Sequence, residues 1–185
     1  MAKKVYVITG PIGSGKSTAI KYLKNKGFST VDLDKVSNNI LNSDESIAFL
    51  KEEFPQALAH DGVNKAILAD IVFKNTDKLT TLENYLHPKV LLELQNIIQN
   101  TKDDLFVEVS APKNIYKDFD CIVIYSQTET RIKRLKERGM NYEDIQNRMA
   151  NQKDDDWWKN LGIVIQNDNL NDLYFNLDKV INKNS

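Results

Sequence analysis

The stretch Gly10-Pro11-Ile12-Gly13-Ser14-Gly15-Lys16-Ser17 constrains this chain more than any other. It fits G-x-x-x-x-G-K-[ST], a loop whose backbone N–H groups cradle phosphate, and it stands between the right neighbours. Val5-Tyr6-Val7-Ile8-Thr9 before it is a short apolar, β-branched run that reads as a buried strand. Residues 17–26 after it carry helical spacing, with Ile20 and Leu23 on one face and lysines on the other. Glycines let such a loop turn tightly and approach a ligand closely. The N–H groups of Ile12, Gly13, Ser14, Gly15 and the first helical residues, Lys16, Ser17 and Thr18, would then converge on an anion at a helix N-terminus. By this reading Gly10 makes the turn, Lys16 reaches the outer phosphates of a triphosphate, and the Ser17 hydroxyl ligates Mg²⁺.

The rest of the chain alternates strands with helices. Strands are expected to end at Thr30-Val31-Asp32-Leu33, over 105–109 and 121–125, and at Ile163-Val164-Ile165. Helices are expected to run from Asp34 to about 42, over 45–58 with Pro55 disturbing it, and over 64–73 with Ile67, Leu68, Ile71 and Val72 on its apolar face. Further helices are expected over 79–86 and 89–99 on either side of His87-Pro88, then over 128–137, 142–152 and 170–181. His60-Asp61-Gly62 reads as a turn, and Gly139 as a helix breaker. Five apolar strands alternating with helices predict an α/β fold with a five-stranded parallel sheet flanked by helices, its ligands at the carboxyl ends of the strands. The block 43–100 is too long for a simple crossover and is expected to be an inserted helical substrate-binding region within a single domain of 1–185. The polar end, Asn182 to Ser185, is expected to fray.

Composition narrows the partners. A formal charge of -1 gives no electrostatic case for nucleic acid, and no apolar run approaches membrane-spanning length. Gly10 and Pro11 interrupt the first apolar stretch too early for a signal peptide. The single Cys121 lies in an apolar run and reads as a buried strand residue, which suits a reducing cytoplasm. A monomer or weak homo-oligomer acting on small molecules is expected.

Arginine is confined. Arg131, Arg134, Arg138 and Arg148 are the only arginines, and every other basic side chain outside histidine is lysine. Their planar forks suit bidentate phosphate binding, so at least two are expected to face phosphate from a lid over 131–152. The guanine-reading N-K-x-D order is absent, since Asn151-Gln152-Lys153-Asp154 has the wrong order, and no strand ends in a Walker-B-type aspartate. A small-molecule kinase remains, with a lid that excludes water and lays guanidinium groups on the transferring phosphoryl. Such a reaction needs a carboxylate to orient the acceptor hydroxyl and take its proton. Asp32 and Asp34 follow the second strand, and Asp34 is the expected base. Glu108 is a weaker candidate for a contact to a Mg²⁺-bound water. Trp157-Trp158 is expected to pack beneath the lid helices.

With these residues in view, nearly the whole chain resembles the dephospho-coenzyme A kinase family. The resemblance runs through Thr9 to Thr18, the D-x-D element Asp32-Leu33-Asp34, and Asp61-Gly62 through Lys65 to Val72-Phe73. It continues through Leu82-Glu83…His87-Pro88-Lys89-Val90, Phe119-Asp120, Arg134 through Arg138, Arg148 with Gln152, and Val164-Ile165-Gln166-Asn167. The resemblance implies transfer of the γ-phosphoryl of ATP, with Mg²⁺, to the ribose 3′-hydroxyl of dephospho-coenzyme A. It assigns Asp34 as base, Lys16, Arg138 and Arg148 to phosphates, and Asp32, Lys65 and His87 to the acceptor side. His87, read by itself, is a turn residue. The sequence departs from the family in two places. Lys65 stands where the family usually has arginine, and the family's P-L-L-F-E segment is replaced by Val109-Ser110-Ala111-Pro112-Lys113-Asn114-Ile115-Tyr116. A kinase of the same fold acting on a (deoxy)nucleoside monophosphate is therefore the alternative, and a non-catalytic nucleotide sensor a third.

Overall fold

Tyr6 and Ile8 are turned to one face of the first strand, and against them the chain builds its main core. A computed structural model describes residues 3–60, 62–112 and 118–183. Asp61 of the expected turn, residues 113–117 of the divergent segment, and Asn184 and Ser185 of the expected frayed end lie outside them. The chain resolves into two compact units, 1–32 with 101–185, and 33–100.

In the first unit, five parallel strands lie in the order β2-β5-β1-β6-β7 among the described residues. They are β1 (Val5–Thr9), β2 (Ser29–Asp32), β5 (Leu105–Glu108), β6 (Asp120–Tyr125) and β7 (Ile163–Gln166). The register pairs Ile8 with Glu108 and with Ile122, and Asp32 with Glu108. The central strands are apolar on both faces because helices cover both faces of such a sheet. On one face Tyr6, Ile8, Phe106, Ile122 and Ile124 meet Ala19 and Leu23 of α1 (Lys16–Asn25) and Leu173 and Leu177 of α9 (Leu170–Lys183). Tyr22 and Tyr174 stack across the two helices with ring centroids 4.1 Å apart. Leu23 is fully buried, so truncation to alanine there costs about 2–5 kcal/mol.

Among the described residues this unit has three more helices, α6 (Thr128–Glu137), α7 (Tyr142–Ala150) and α8 (Asp155–Lys159). The first matches its expected span. Gly139, at φ 84, separates it from α7 as expected. The short α8 was not expected, and Asp154 starts it by accepting the Trp157 N–H at 2.8 Å.

The second unit is helical, with α2 (Leu33–Leu41), α3 (Asp44–Glu53), α4 (Lys65–Lys74) and α5 (Thr76–Asn100). It begins at Leu33, earlier than the 43–100 block expected, because Leu41 of α2 shares a core with Leu50, Phe54, Leu68 and Leu82. Leu33, expected to end the strand, is the first residue of α2. The helix expected to reach 58 stops at Glu53. Pro55 lacks an N–H and restricts Phe54 (φ -140, ψ 48), so 55–57 form a 3-10 turn instead. Leu58–Ala59 (β3) then pairs antiparallel with Gly62–Val63 (β4), a two-residue ladder too short for periodicity to show. Ile67, expected on the apolar face of α4, is 41% exposed; Leu68 is the buried residue there. His87-Pro88 does not interrupt α5, which runs unbroken for 25 residues with Pro88 inside it. His87 is therefore an exposed helical residue, not a turn residue.

Candidate active site

The phosphate loop is the bend from the end of β1 to the start of α1. Gly10, Gly13 and Gly15 all have positive φ, at 147°, 79° and 101°. The requirement for glycine is sharpest at two of them. A Cβ at Gly10 would collide with the Ile124 carbonyl, and one at Gly15 with the Asn167 amide. Gly15 caps α1 in the left-handed conformation and, having no side chain, makes no side-chain cap of its own at the first turn, where an anion would sit. Lys16 arches over the loop, its Nζ donating to the Gly10 carbonyl at 2.9 Å. Ile12 and Thr18 are half-buried, and Gly13 and Ser14 are buried. The N–H groups of Ile12, Ser14 and Thr18, expected to face the anion, instead donate to Gln152 Oε1 at 2.9 Å, the Pro11 carbonyl at 3.2 Å and the Gly15 carbonyl at 3.0 Å.

Ser17 is exposed beside the loop, and its Oγ donates to Glu108 Oε1 at 3.0 Å. Asp32 ends β2 in register with Glu108, so two carboxylates close the carboxyl edge of adjacent strands. Among the described residues no three His, Cys, Asp or Glu side chains form a metal cage. A hydroxyl with one nearby carboxylate is nevertheless a fitting donor set for Mg²⁺, which keeps most of its waters and takes substrate phosphate oxygens rather than an all-protein cage.

The four arginines divide into two pairs. Arg131 is 4% exposed, and its Nη2 donates to Asp155 Oδ1 at 2.9 Å and to Thr128 Oγ1 at 3.0 Å. The Tyr125 hydroxyl donates to the other Asp155 oxygen at 2.7 Å. Burial first, then the Asp155 carboxylate, pushes the Tyr125 hydroxyl up to about 12. Arg134 donates to Ser126 Oγ at 2.8 Å and to the Asn167 carbonyl at 2.9 Å. The Ser14 carbonyl accepts from Asn167 Nδ2 at 2.7 Å. Arg131 and Arg134 thus brace the loop from behind, and the α6 half of the 131–152 segment is bolted to the sheet. Arg138 and Arg148 are exposed, and their side chains make no hydrogen bond or ion pair with the described residues.

Arg138 lines a cavity of about 390 Å³ together with Gly15, Thr18, Arg134, Asn167 and Asn169. This cavity opens beside the loop and carries basic and amide groups together with the carboxylates of Glu137 and Asp168. On the second unit, Asp34 lies in the first turn of α2, Lys65 opens α4 and His87 lies within α5. All three are exposed, and their side chains make no hydrogen bond with the described residues.

Sequence reasoning gave no role to Ser126, Asn167 or Gln152. Ser126 and Asn167 are polar side chains buried at the ends of β6 and β7, and Gln152 Oε1 accepts the Ile12 N–H at 2.9 Å. A polar residue directly after an apolar strand run was the available signal for the first two. Trp158 is 3% exposed, and its indole N–H donates to the Lys153 carbonyl at 3.1 Å, so it packs at the foot of α7.

Comparisons with known proteins agree with this geometry. A family model described as CoaE, dephospho-CoA kinase, matches residues 5–172. A dephospho-CoA kinase of Campylobacter jejuni (strain RM1221) is 32% identical over 184 residues, spanning 90% of this chain and 89% of that protein. A solved dephospho-CoA kinase from Campylobacter jejuni superposes with a TM-score of 0.72 at 27% identity, covering 100% of this chain and 98% of that one. The crystal structure of TT1252 from Thermus thermophilus has a TM-score of 0.89 at 24% identity with both chains fully covered, a likeness of fold.

Proposed function

The chain belongs to the dephospho-CoA kinase family, ATP-dependent phosphotransferases of coenzyme A biosynthesis, and we propose that it phosphorylates dephospho-CoA through the bend at 10–17. The uncapped N-terminus of α1 behind a glycine-built bend carries this reading, because it offers converging amides to a triphosphate. The donor is ATP. Its phosphates lie along the bend, and the 390 Å³ cavity beside Arg138 and Asn169 receives its base and ribose.

Lys16 exchanges its bond to the Gly10 carbonyl for the β- and γ-phosphates. Ser17, with Glu108 behind it, would hold Mg²⁺. When bound, that ion supplies charge neutralisation to the phosphate oxygens. Arg138 and Arg148 have no competing partner among the described residues and are the guanidinium groups available to the transferring phosphoryl. Arg131 and Arg134 are already engaged and support the loop instead.

Asp34 orients the ribose 3′-hydroxyl of the acceptor and takes its proton as the γ-phosphoryl is transferred. Asp32, Lys65 and His87 contact the acceptor, and the helical block 43–100 makes its binding region. Lys65 does so as a point charge. Within the expected lid 131–152, Arg131, Arg134 and Gln152 are anchored, and the stretch that carries Arg138 and Arg148 covers the phosphates. The enzyme works in the cytoplasm as a monomer or weak homo-oligomer. Among the described residues no helix is long and apolar enough to cross a membrane.

An acceptor panel tests this. Purified protein with ATP and Mg²⁺ is offered dephospho-CoA and each (deoxy)nucleoside monophosphate, and ADP release is followed. Turnover with dephospho-CoA alone is expected. Turnover only with a monophosphate would reject the assignment.

A further inference from the structure

Ile12 and Gln152 are 140 positions apart, yet the Gln152 side chain is the hydrogen-bond acceptor for the Ile12 N–H, at 2.9 Å. Ile12 lies between Gly10 and Gly13, both at positive φ, where the flanking glycines leave the bend more than one backbone path. An external acceptor there selects one loop shape out of many.

That acceptor is presented from a braced foot. The Gln152 N–H donates to the Met149 carbonyl at 3.1 Å, closing the end of α7. Two residues later Asp154 caps α8. Asp155 is then gripped by Arg131 and Tyr125, at 2.9 and 2.7 Å. Position 152 is therefore tied to the sheet, although it ends the segment read as a lid.

Its chemistry is also selective. A carboxylate at 152 would accept the same N–H more strongly. It would also set a negative charge beside the loop that receives a triphosphate, whereas the glutamine amide accepts without repelling. We propose that Gln152 is a positioning residue for phosphoryl transfer, holding the phosphate loop in its nucleotide-binding shape through an uncharged acceptor. The inference rests on the reading that the bend at 10–17 takes the phosphates of ATP.

The test compares Gln152→Ala, Gln152→Glu and Lys16→Ala with the unaltered protein. Dissociation constants for a non-hydrolysable ATP analogue are measured by calorimetry at low and high salt, alongside kcat, both KM values and Tm. Loss of one loop-setting bond in Gln152→Ala should raise the nucleotide Kd and the KM for ATP by about tenfold, leaving the KM for dephospho-CoA unchanged. Gln152→Glu keeps the bond and the Tm. It should bind nucleotide about tenfold more weakly at ~0.02 M salt and recover most of that at ~0.5 M, where the Debye length is only a few ångströms. Unaltered nucleotide binding in Gln152→Ala would overturn the proposal, as would full-strength binding by Gln152→Glu at low salt. A lowered Tm in Gln152→Ala with both KM values moving together would also overturn it, as the mark of a merely structural bond. Lys16→Ala separates the premise from the proposal: if it too binds nucleotide normally, the bend is not the phosphate site, and the premise itself fails.

Discussion

Ser17 Oγ donates to Glu108 Oε1 at 3.0 Å, joining the first turn of α1 to the end of β5 across 91 positions of sequence. This pair stands at the carboxyl edge of the sheet, one strand away from the bend at 10–17. It offers a hydroxyl with a carboxylate behind it, the arrangement expected to receive a hydrated divalent cation. Replacement of Glu108 by glutamine keeps the size and removes the charge. The Mg²⁺ concentration for half-maximal activity should rise about tenfold, while ATP-analogue binding without Mg²⁺ stays unchanged. An unchanged Mg²⁺ titration would remove Glu108 from the site.

The donor and acceptor sides should separate in mutants. Lys16→Ala removes the cation proposed to neutralise the outer phosphates, and turnover should fall by about 10²–10³-fold with weaker ATP binding. Asp34→Asn would remove only the proposed proton acceptor. Its kcat should fall by about 10²–10⁴-fold with the ATP Kd nearly unaltered. Undiminished kcat in Asp34→Asn would exclude it as the base.

The two pairs of arginines should fail in different ways. Arg138→Ala should cost roughly 10³-fold in kcat with an unchanged Tm, by the scale of arginine fingers; a loss under about tenfold would mean it does not touch the transferring group. Arg131→Met should instead lower stability. Breaking a fully buried pair can cost about 3–5 kcal/mol, but the Asp155 side chain is 37% exposed, so solvent screening brings the expected loss to about 1–2 kcal/mol. For a chain of this size that is a Tm shift of about 2–8 °C. A normal Tm in Arg131→Met would show that the bond to Asp155 carries no stability.

Cys121 gives a pH dependence with a definite sign. Burial pushes its thiol from the ordinary 9 up to about 11. The folded state therefore holds this proton more tightly than the unfolded state does. The associated stability is fully present below pH 9 and is lost as the pH rises from 9 through 11. The loss is about 2–3 kcal/mol at pH 11 by linkage. Chemical denaturation between pH 8 and 11 should show this fall, and Cys121→Ala should flatten the slope whatever its absolute stability. An unflattened slope would mean that another group titrates.

Elements built from local pattern were legible in the sequence. Val5–Thr9 and Thr128–Glu137 fall where periodicity put them, and the five-stranded parallel sheet follows from the alternation of strands and helices. Pro55 and Pro88 show the limit of local rules. Proline ends α3, where 3-10 geometry takes over, yet it is absorbed within the 25 residues of α5. The loop itself was legible because its glycines answer to backbone geometry. Its supports were not: Arg134 to Asn167, Arg131 to Asp155 and Gln152 to Ile12 are long-range side-chain bonds with no periodicity to announce them. Confinement of arginine singled out α6 and α7. It could not tell Arg131 and Arg134, which brace the loop, from Arg138 and Arg148, which have no partner among the described residues.

The most direct test of the central claim is a crystal structure with a non-hydrolysable ATP analogue and Mg²⁺. The account predicts the β-phosphate within hydrogen-bonding distance of the amides between Gly13 and Ser17, with Lys16 turned from the Gly10 carbonyl onto the phosphates. A nucleotide bound elsewhere, with Lys16 still on Gly10 and the bend empty, would contradict it.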